Sequence, residues 1–246
     1  MTARTLLVLG GTSDIGLAIA REYAAHGWDI VLTARNPDDA ARNAADVQTR
    51  SGRAVRVLPF DVLSAASRDE LLTKLEPLPD TVICVVGVLG DQARGESDPA
   101  HASEIIRSNF EGPALILDAL AARMITRGNG TLVGISSVAG VRGRGSNYLY
   151  GSAKAGFSAF LSGLRNRLAP KGVHVLTVLP GFVRTRMTEG LKLPPPITAN
   201  PAEVGRAVFR AAEISRRNVI YVRAVWRLIM AIITAIPERI FKTLKL

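Results

Sequence analysis

The sequence predicts an α/β fold: a doubly wound parallel sheet of about seven strands with helices on both faces, closed by a C-terminal amphipathic helix. Three observations predict it. Seven short runs rich in Val, Leu and Ile recur along the 246 residues, helical stretches separate them, and a glycine-rich turn directly follows the first run. Strands covered on both faces are continuously apolar rather than alternating, and helical crossovers between them make the strands parallel. A hydrophobic fraction of 48% with 21% charged residues supplies a globular core and excludes a disordered chain. The division this implies is one domain over residues 1–223 and a basic amphipathic extension over 224–246.

The runs are TLLVL, DIVLT, AVRVLPF, TVICVVG, GTLVGIS, VHVLTVL and VIYV, in chain order. After the first comes Gly10-Gly11-Thr12-Ser13-Asp14-Ile15-Gly16 and then the helical pattern LAIAREYAAHG. Glycines let a backbone approach a pyrophosphate closely, and the free amides of a helix start favour its charge. A purely structural strand-to-helix turn is the alternative. The second run ends in Thr33-Ala34-Arg35, with no acid to bond a ribose 2′-hydroxyl. Arg35 is placed to pair with the 2′-phosphate of NADP, or else is an ordinary solvated arginine.

Within the fourth run Cys84 is the only cysteine, which excludes an intramolecular disulfide and favours a reducing compartment. Its neighbours Ile83 and Val85 mark it as a buried strand residue. Asp98-Pro99 and Asn200-Pro201 each join a cap residue to the residue favoured at the first helical position, so helices start there. Residues 186–200 contain Pro194, Pro195 and Pro196 and lie between a strand and a helix, which predicts a long, irregular, mobile loop.

The net charge of +10 is concentrated at one end: residues 216–246 carry seven Lys or Arg, Lys245 among them, against the single acid Glu238. Leu228 to Ile236 is too short an apolar run to cross a bilayer, and with Trp226 and cations beside it predicts a helix lying on a membrane surface. Packing against the domain or a second subunit, as an ordinary apolar helix, is the equal alternative. The run Leu6 to Leu9 is too short for a signal peptide or a span, so the expected location is cytoplasmic, at the inner face of a membrane. No nucleic-acid motif accompanies the charge. His26, His101 and His174 lack metal-ligand spacing, so no metal is expected.

Tyr150 and Lys154 are four residues apart on a predicted helix and share one face. A phenol titrates near about 10, so a neighbouring cation is what would fit it for proton transfer at neutral pH. Ser137 ends the run GTLVGIS, where a hydroxyl can bond a substrate carbonyl or the alkoxide it becomes. Arg142 and Arg144, between Ser137 and Tyr150, and Arg184 and Arg186, after Pro180-Gly181, fall near the same mouth and could grip a phosphodiester, or are solvated loop arginines.

The turn at Gly10–Gly16, Asn109, Ser137, Tyr150, Lys154 and Pro180-Gly181 occur in an order and spacing that resemble the short-chain dehydrogenases/reductases. The resemblance implies a Rossmann fold and an NADP-dependent oxidoreductase. In it Tyr150 is the general acid or base, Lys154 lowers its pKa and binds the nicotinamide ribose, Ser137 positions the carbonyl, and Asn109 supports a proton-relay water. It also implies cofactor contacts from Asp61 near the adenine, from Val62, Gly87 and Val183, and from Thr185 near the nicotinamide amide. Two departures stand out: Asp14 replaces the middle glycine of the family's turn, where it could cap the following helix, and Cys84-Val85-Val86-Gly87 replaces Asn-Asn-Ala-Gly.

LGGTSDIGLAIA, GVLGD, YGSAKAG, PGFVRTRM and IPERIFKTLKL further resemble the branch that reduces decaprenylphosphoryl-2-keto-ribose. That likeness implies a lipid-linked keto sugar substrate, a partner flavin-dependent oxidase and a role in cell-wall biosynthesis. A homo-oligomer is also expected. A reductase of another carbonyl, such as a 3-ketoacyl thioester or a steroid-like alcohol, and a non-catalytic NADP-binding regulator are the competing readings.

Overall fold

The computed structural model describes residues 3–244, so Lys245 lies outside the described residues. All seven apolar runs form strands: β1 Thr5–Leu9, β2 Asp29–Ala34, β3 Val55–Pro59, β4 Thr81–Cys84, β5 Gly130–Ile135, β6 Val173–Pro180 and β7 Val219–Val222. They make one sheet in the order β3-β2-β1-β4-β5-β6-β7, every pair parallel. The order reverses between β1 and β4, and at that reversal a doubly wound sheet opens a crevice beyond its carboxyl ends. The fourth run pairs only as far as Cys84; Val85, Val86 and Gly87 leave the sheet and line that crevice.

The helices are α1 Asp14–Ala25, α2 Pro37–Ser51, α3 Ala65–Lys74, α4 Gln92–Ser97, α5 Pro99–Ile106, α6 Gly112–Arg127, α7 Tyr148–Leu168, α8 Pro201–Phe209, α9 Val225–Ala235 and α10 Glu238–Phe241. Both caps read from the sequence are in place. The Asp98 carboxylate accepts from the amides of Ala100 and His101, and Asn200 forms a reciprocal box with Glu203. Between α5 and α6 the backbone continues through a π-helical turn, Arg107–Glu111, whose extra residue re-aims Asn109.

One core layer joins Ile19 and Tyr23 of α1 to Val204, Val208 and Phe209 of α8 over one face of the sheet. The other packs Leu117 and Leu120 of α6 against Phe157 and Leu161 of α7. Cys84 sits in this second layer, 1% exposed, and burial pushes its thiol up to about 11, so it is a packed strand residue.

The irregular loop at 186–200 is tied down at several points. It contains two single turns of 3₁₀ helix, Arg186–Thr188 and Pro195–Ile197, and Val183 bridges Ala199 in parallel. The C-terminal segment packs on the domain: Trp226 and Met230 of α9 join Val138 and Leu179 in a third apolar cluster. Its outer face carries exposed Val225, Leu228 and Ile232. Among the described residues no helix is long and apolar enough to cross a membrane.

Candidate active site

A cavity of about 480 Å³ lies beyond the carboxyl ends of the central strands. Its lining brings together Gly10, Thr12 to Ile15, Arg35, Asp61, Val62, Gly87, Asn109, Ser137, Tyr150, Lys154, Pro180, Gly181, Val183, Thr185 and the arginines Arg144 and Arg186. Residues from nearly every strand end thus converge because all strands run in one direction.

Helix α7 carries Tyr150 and Lys154 inward. Lys154 is 4% exposed, its Nζ donates to the Ile135 carbonyl at 3.1 Å and stands 5.7 Å from the Tyr150 ring centre. Burial pushes this ammonium down to about 8. Desolvation within the cavity pushes the Tyr150 phenol up, to about 12, with the Ser137 hydroxyl acting the other way. Ser137 also accepts from the Ala139 amide at 3.1 Å, which fixes its hydroxyl at the end of β5.

Asn109 is fully buried in the π turn, with Nδ2 donating to the carbonyls of Val88 (2.7 Å) and Ile105 (2.8 Å). Its Oδ1 is buried without a partner, an acceptor left for a water or ligand. Gly87 is what makes room: a Cβ there would lie 2.4 Å from Asn109 Oδ1 and 3.2 Å from Lys154 Nζ.

The glycine-rich turn fits a dinucleotide. Gly10 has φ +103°, a conformation that favours glycine, and a Cβ on Gly16 would meet the Gly10 carbonyl at 2.6 Å. Ser13, rather than Asp14, caps α1, its Oγ accepting from the Gly16 amide at 3.4 Å. The remaining first-turn amides of a helix have no intrahelical acceptor and are free for a diphosphate. Arg35 is exposed at the end of β2 and lines the cavity, and Asp61 is held by its amide on Ser67 Oγ at 2.8 Å. Orphaned Asn109 Oδ1, the glycine cradle and the free helix start together suit a nicotinamide dinucleotide.

The four arginines part company. Arg142 is no substrate ligand: it points away from the cavity and donates to the carbonyls of Ile233 (2.5 Å) and Ile236 (2.6 Å) and to Glu238 (2.9 Å), over the Phe241 ring. It fastens the C-terminal segment. Arg184 is exposed on the rim of an adjoining depression. Arg186, also expected to hold substrate, instead bonds Asp14 through its amide (2.7 Å) and Nε (2.9 Å) and donates to the Thr12 carbonyl. Arg144 alone has the geometry expected, lining the cavity with Nε and Nη2 buried and unpartnered.

Sequence reasoning missed Trp226 as a wall of the site. Its ring lies on Gly181, where a Cβ would fall 1.9 Å from Cε2, and its Nε1 donates to the Ile197 carbonyl at 2.9 Å. With Phe182, Met187 and Leu191 it makes the substrate end of the cavity apolar. The signal was a tryptophan beside the basic tail, which periodicity could not direct inward or outward.

Comparison with known proteins places these features in a family. Residues 4–194 match the short chain dehydrogenase family. An uncharacterized oxidoreductase of Mycobacterium tuberculosis is 40% identical over 243 residues, 98% of this chain and 96% of the relative. A ketoacyl reductase of Nostoc sp. is 27% identical over 227 residues, covering 89% and 79%. A short-chain dehydrogenase from Sphingobium yanoikuyae, solved in complex with NADPH, superposes with a TM-score of 0.82 at 25% identity over 96% of this chain and 97% of that one. With its seven parallel strands, its glycine cradle and Ser137, Tyr150 and Lys154 in one cavity, this chain belongs to the short-chain dehydrogenase family of oxidoreductases.

Proposed function

We propose that the protein is an NADPH-dependent carbonyl reductase acting on a keto sugar carried by a polyprenyl phosphate. The observation that carries the reductive reading is Tyr150: its phenol lines the cavity with Ser137 and Lys154, and desolvation raises it to about 12, which favours giving a proton over taking one. Bound NADPH would supply the hydride. Ser137 is placed to donate to the carbonyl oxygen, and Tyr150 to deliver its proton as that oxygen becomes an alkoxide. Lys154 keeps a positive charge beside the reacting oxygen below about pH 8, and the unpartnered Asn109 Oδ1 would hold a water through which a proton returns toward Lys154. Arg35 supports the choice of NADPH, as does the NADPH carried by the related dehydrogenase.

Two features favour an anionic, lipid-linked substrate. Arg144 offers unpartnered guanidinium donors suited to a phosphodiester, and Phe182, Met187, Leu191 and Trp226 offer an apolar channel beside it. The outer face of α9, with Val225, Leu228 and Ile232 exposed next to Arg227, suits binding at the anionic inner face of a membrane. A partner flavin-dependent oxidase would supply the keto sugar, and a homo-oligomer is the assembly we expect.

The test is NADPH oxidation with the 2-keto-ribosyl polyprenyl phosphate, wild type against Tyr150→Phe. Equal rates in the two proteins would remove the mechanism, and no turnover by wild type would remove the substrate. The ketoacyl reductase of Nostoc supports a second reading, a 3-ketoacyl thioester substrate. Faster turnover of soluble ketoacyl thioesters would select it.

A further inference from the structure

Asp14 poses a physical problem that the family's usual glycine does not. It places a carboxylate on the first turn of α1, beside the amides that favour a diphosphate, where a bare negative charge would oppose the ligand. The structure answers it from 172 positions away. Both carboxylate oxygens are engaged by Arg186, Oδ2 by its backbone amide at 2.7 Å and Oδ1 by its Nε at 2.9 Å, while its Nη2 donates to the Thr12 carbonyl. One arginine therefore spans the glycine-rich turn, and both partners line the cavity.

We propose that Arg186 and Asp14 form a latch that draws the 186–200 loop over the diphosphate stretch of the cofactor site, with Arg186 neutralising the carboxylate there. This rests on the dinucleotide reading above. It assigns Arg186 to the cofactor rather than to the substrate, as a positioning residue acting through Asp14.

The geometry suits a closure that can reopen. Arg186 is 69% exposed and Asp14 28%, so water competes for the ion pair and its intrinsic strength is modest. Three contacts from one residue, one of them from the backbone, give it direction that a single surface pair lacks. The loop leads from Thr185, at the nicotinamide end of the cavity, through Leu191, to the Ile197 carbonyl that accepts from Trp226. Closing at Asp14 therefore orders the loop from one end of the cavity to the other. A bound dinucleotide would lie beneath it and leave only after the latch opens.

The test compares Arg186→Ala, Asp14→Ala and the double variant by NADPH fluorescence titration and stopped-flow release. Arg186→Ala removes the guanidinium and leaves the carboxylate only the backbone amide, its charge no longer neutralised, so binding should weaken on the order of tenfold, with faster release. Removing both groups should bind NADPH more tightly than Arg186→Ala alone, because the repelling charge is gone. Hydrogen exchange without cofactor provides a readout independent of the dinucleotide: in Asp14→Ala the Arg186 amide should lose protection, and exchange across 186–193 should rise. A double variant no tighter than Arg186→Ala, or an Arg186 amide unchanged in Asp14→Ala, would overturn the latch. Failure of wild type to bind NADPH, with the exchange result intact, would overturn the cofactor reading instead and leave a latch on the loop alone.

Discussion

Gly181→Ala should displace α9. A Cβ at this position would lie 1.9 Å from Trp226 Cε2 and 2.0 Å from its Nε1, far inside contact distance, and the obstacle is a rigid ring rather than a flexible side-chain end. Trp226 cannot simply rotate away, because it is 4% exposed, edge-on to Phe182 at 5.3 Å and bonded to the Ile197 carbonyl at 2.9 Å. Either the core absorbs an overpacked methyl, at about 1–3 kcal/mol, or the ring lifts and loses its hydrogen bond, at about 1 kcal/mol, together with part of its burial. A loss of about 1–3 kcal/mol, lowering the melting temperature by roughly 2–12 °C for a chain of this size, is expected either way. The assay is thermal unfolding together with Trp226 emission in a Trp28→Phe background, which leaves Trp226 as the only tryptophan. The emission should shift to the red. Adding Trp226→Ala should make Gly181→Ala nearly neutral, since the clash then has no partner. An unshifted spectrum with an unchanged melting temperature would show that the ring does not rest on Gly181.

Four further outcomes are expected from the same geometry. Lys154, lowered from 10.5 to about 8 by burial, binds fewer protons folded than unfolded between those values, so its contribution to stability rises with pH from about 8 to 10. The shift corresponds to about 3 kcal/mol at most, and urea unfolding should show the slope in wild type but not in Lys154→Met. Above pH 10 the raised Tyr150 acts in the opposite sense, and the reductive rate itself should fall as pH rises through about 8 while Lys154 loses its charge. Arg142→Ala removes the donors to Ile233, Ile236 and Glu238 and the cover over Phe241, so trypsin should cut at Arg239 faster while the central sheet stays folded. Arg35→Ser should weaken NADPH by on the order of tenfold or more and leave NADH unaffected, and equal loss for both would refute the 2′-phosphate role.

The sheet was legible because its information is local. Each strand is a continuous apolar run, and the caps at Asp98 and Asn200 depend on neighbouring residues alone. The grouping of Tyr150, Lys154 and Ser137 in one cavity was legible for a different reason: the first two share a helix, and Ser137 follows the end of a central strand. What stayed hidden was set by partners far along the chain. Nothing local told Arg142, which reaches the α9 carbonyls some 91 positions on, from Arg144, two residues later, which is left with buried unpartnered nitrogens. Asp14 looked like a helix cap because its neighbours allow it, and only folding brings Arg186 to its carboxylate.

The tail contributes to the site through its packing, since Trp226 of α9 is both buried and part of the cavity lining. One helix, α9, has two faces in different surroundings: Trp226 and Met230 are buried in the cluster that reaches the cavity, while Leu228 and Ile232 are 62% and 58% exposed. Apolar area left open at that level costs solubility unless something covers it, and the nearby Arg227 and Lys242 favour an anionic surface over a second copy bearing the same cations. If α9 lies on lipid, any tilt it acquires is transmitted through Trp226 to Gly181, in the cavity wall, and to Ile197, in the loop beside it. Adding anionic vesicles should therefore change the KM for a lipid-linked ketone more than the turnover rate, and should leave a soluble ketone untouched. Equal effects on both substrates would separate the tail from the site and reduce α9 to a packing element.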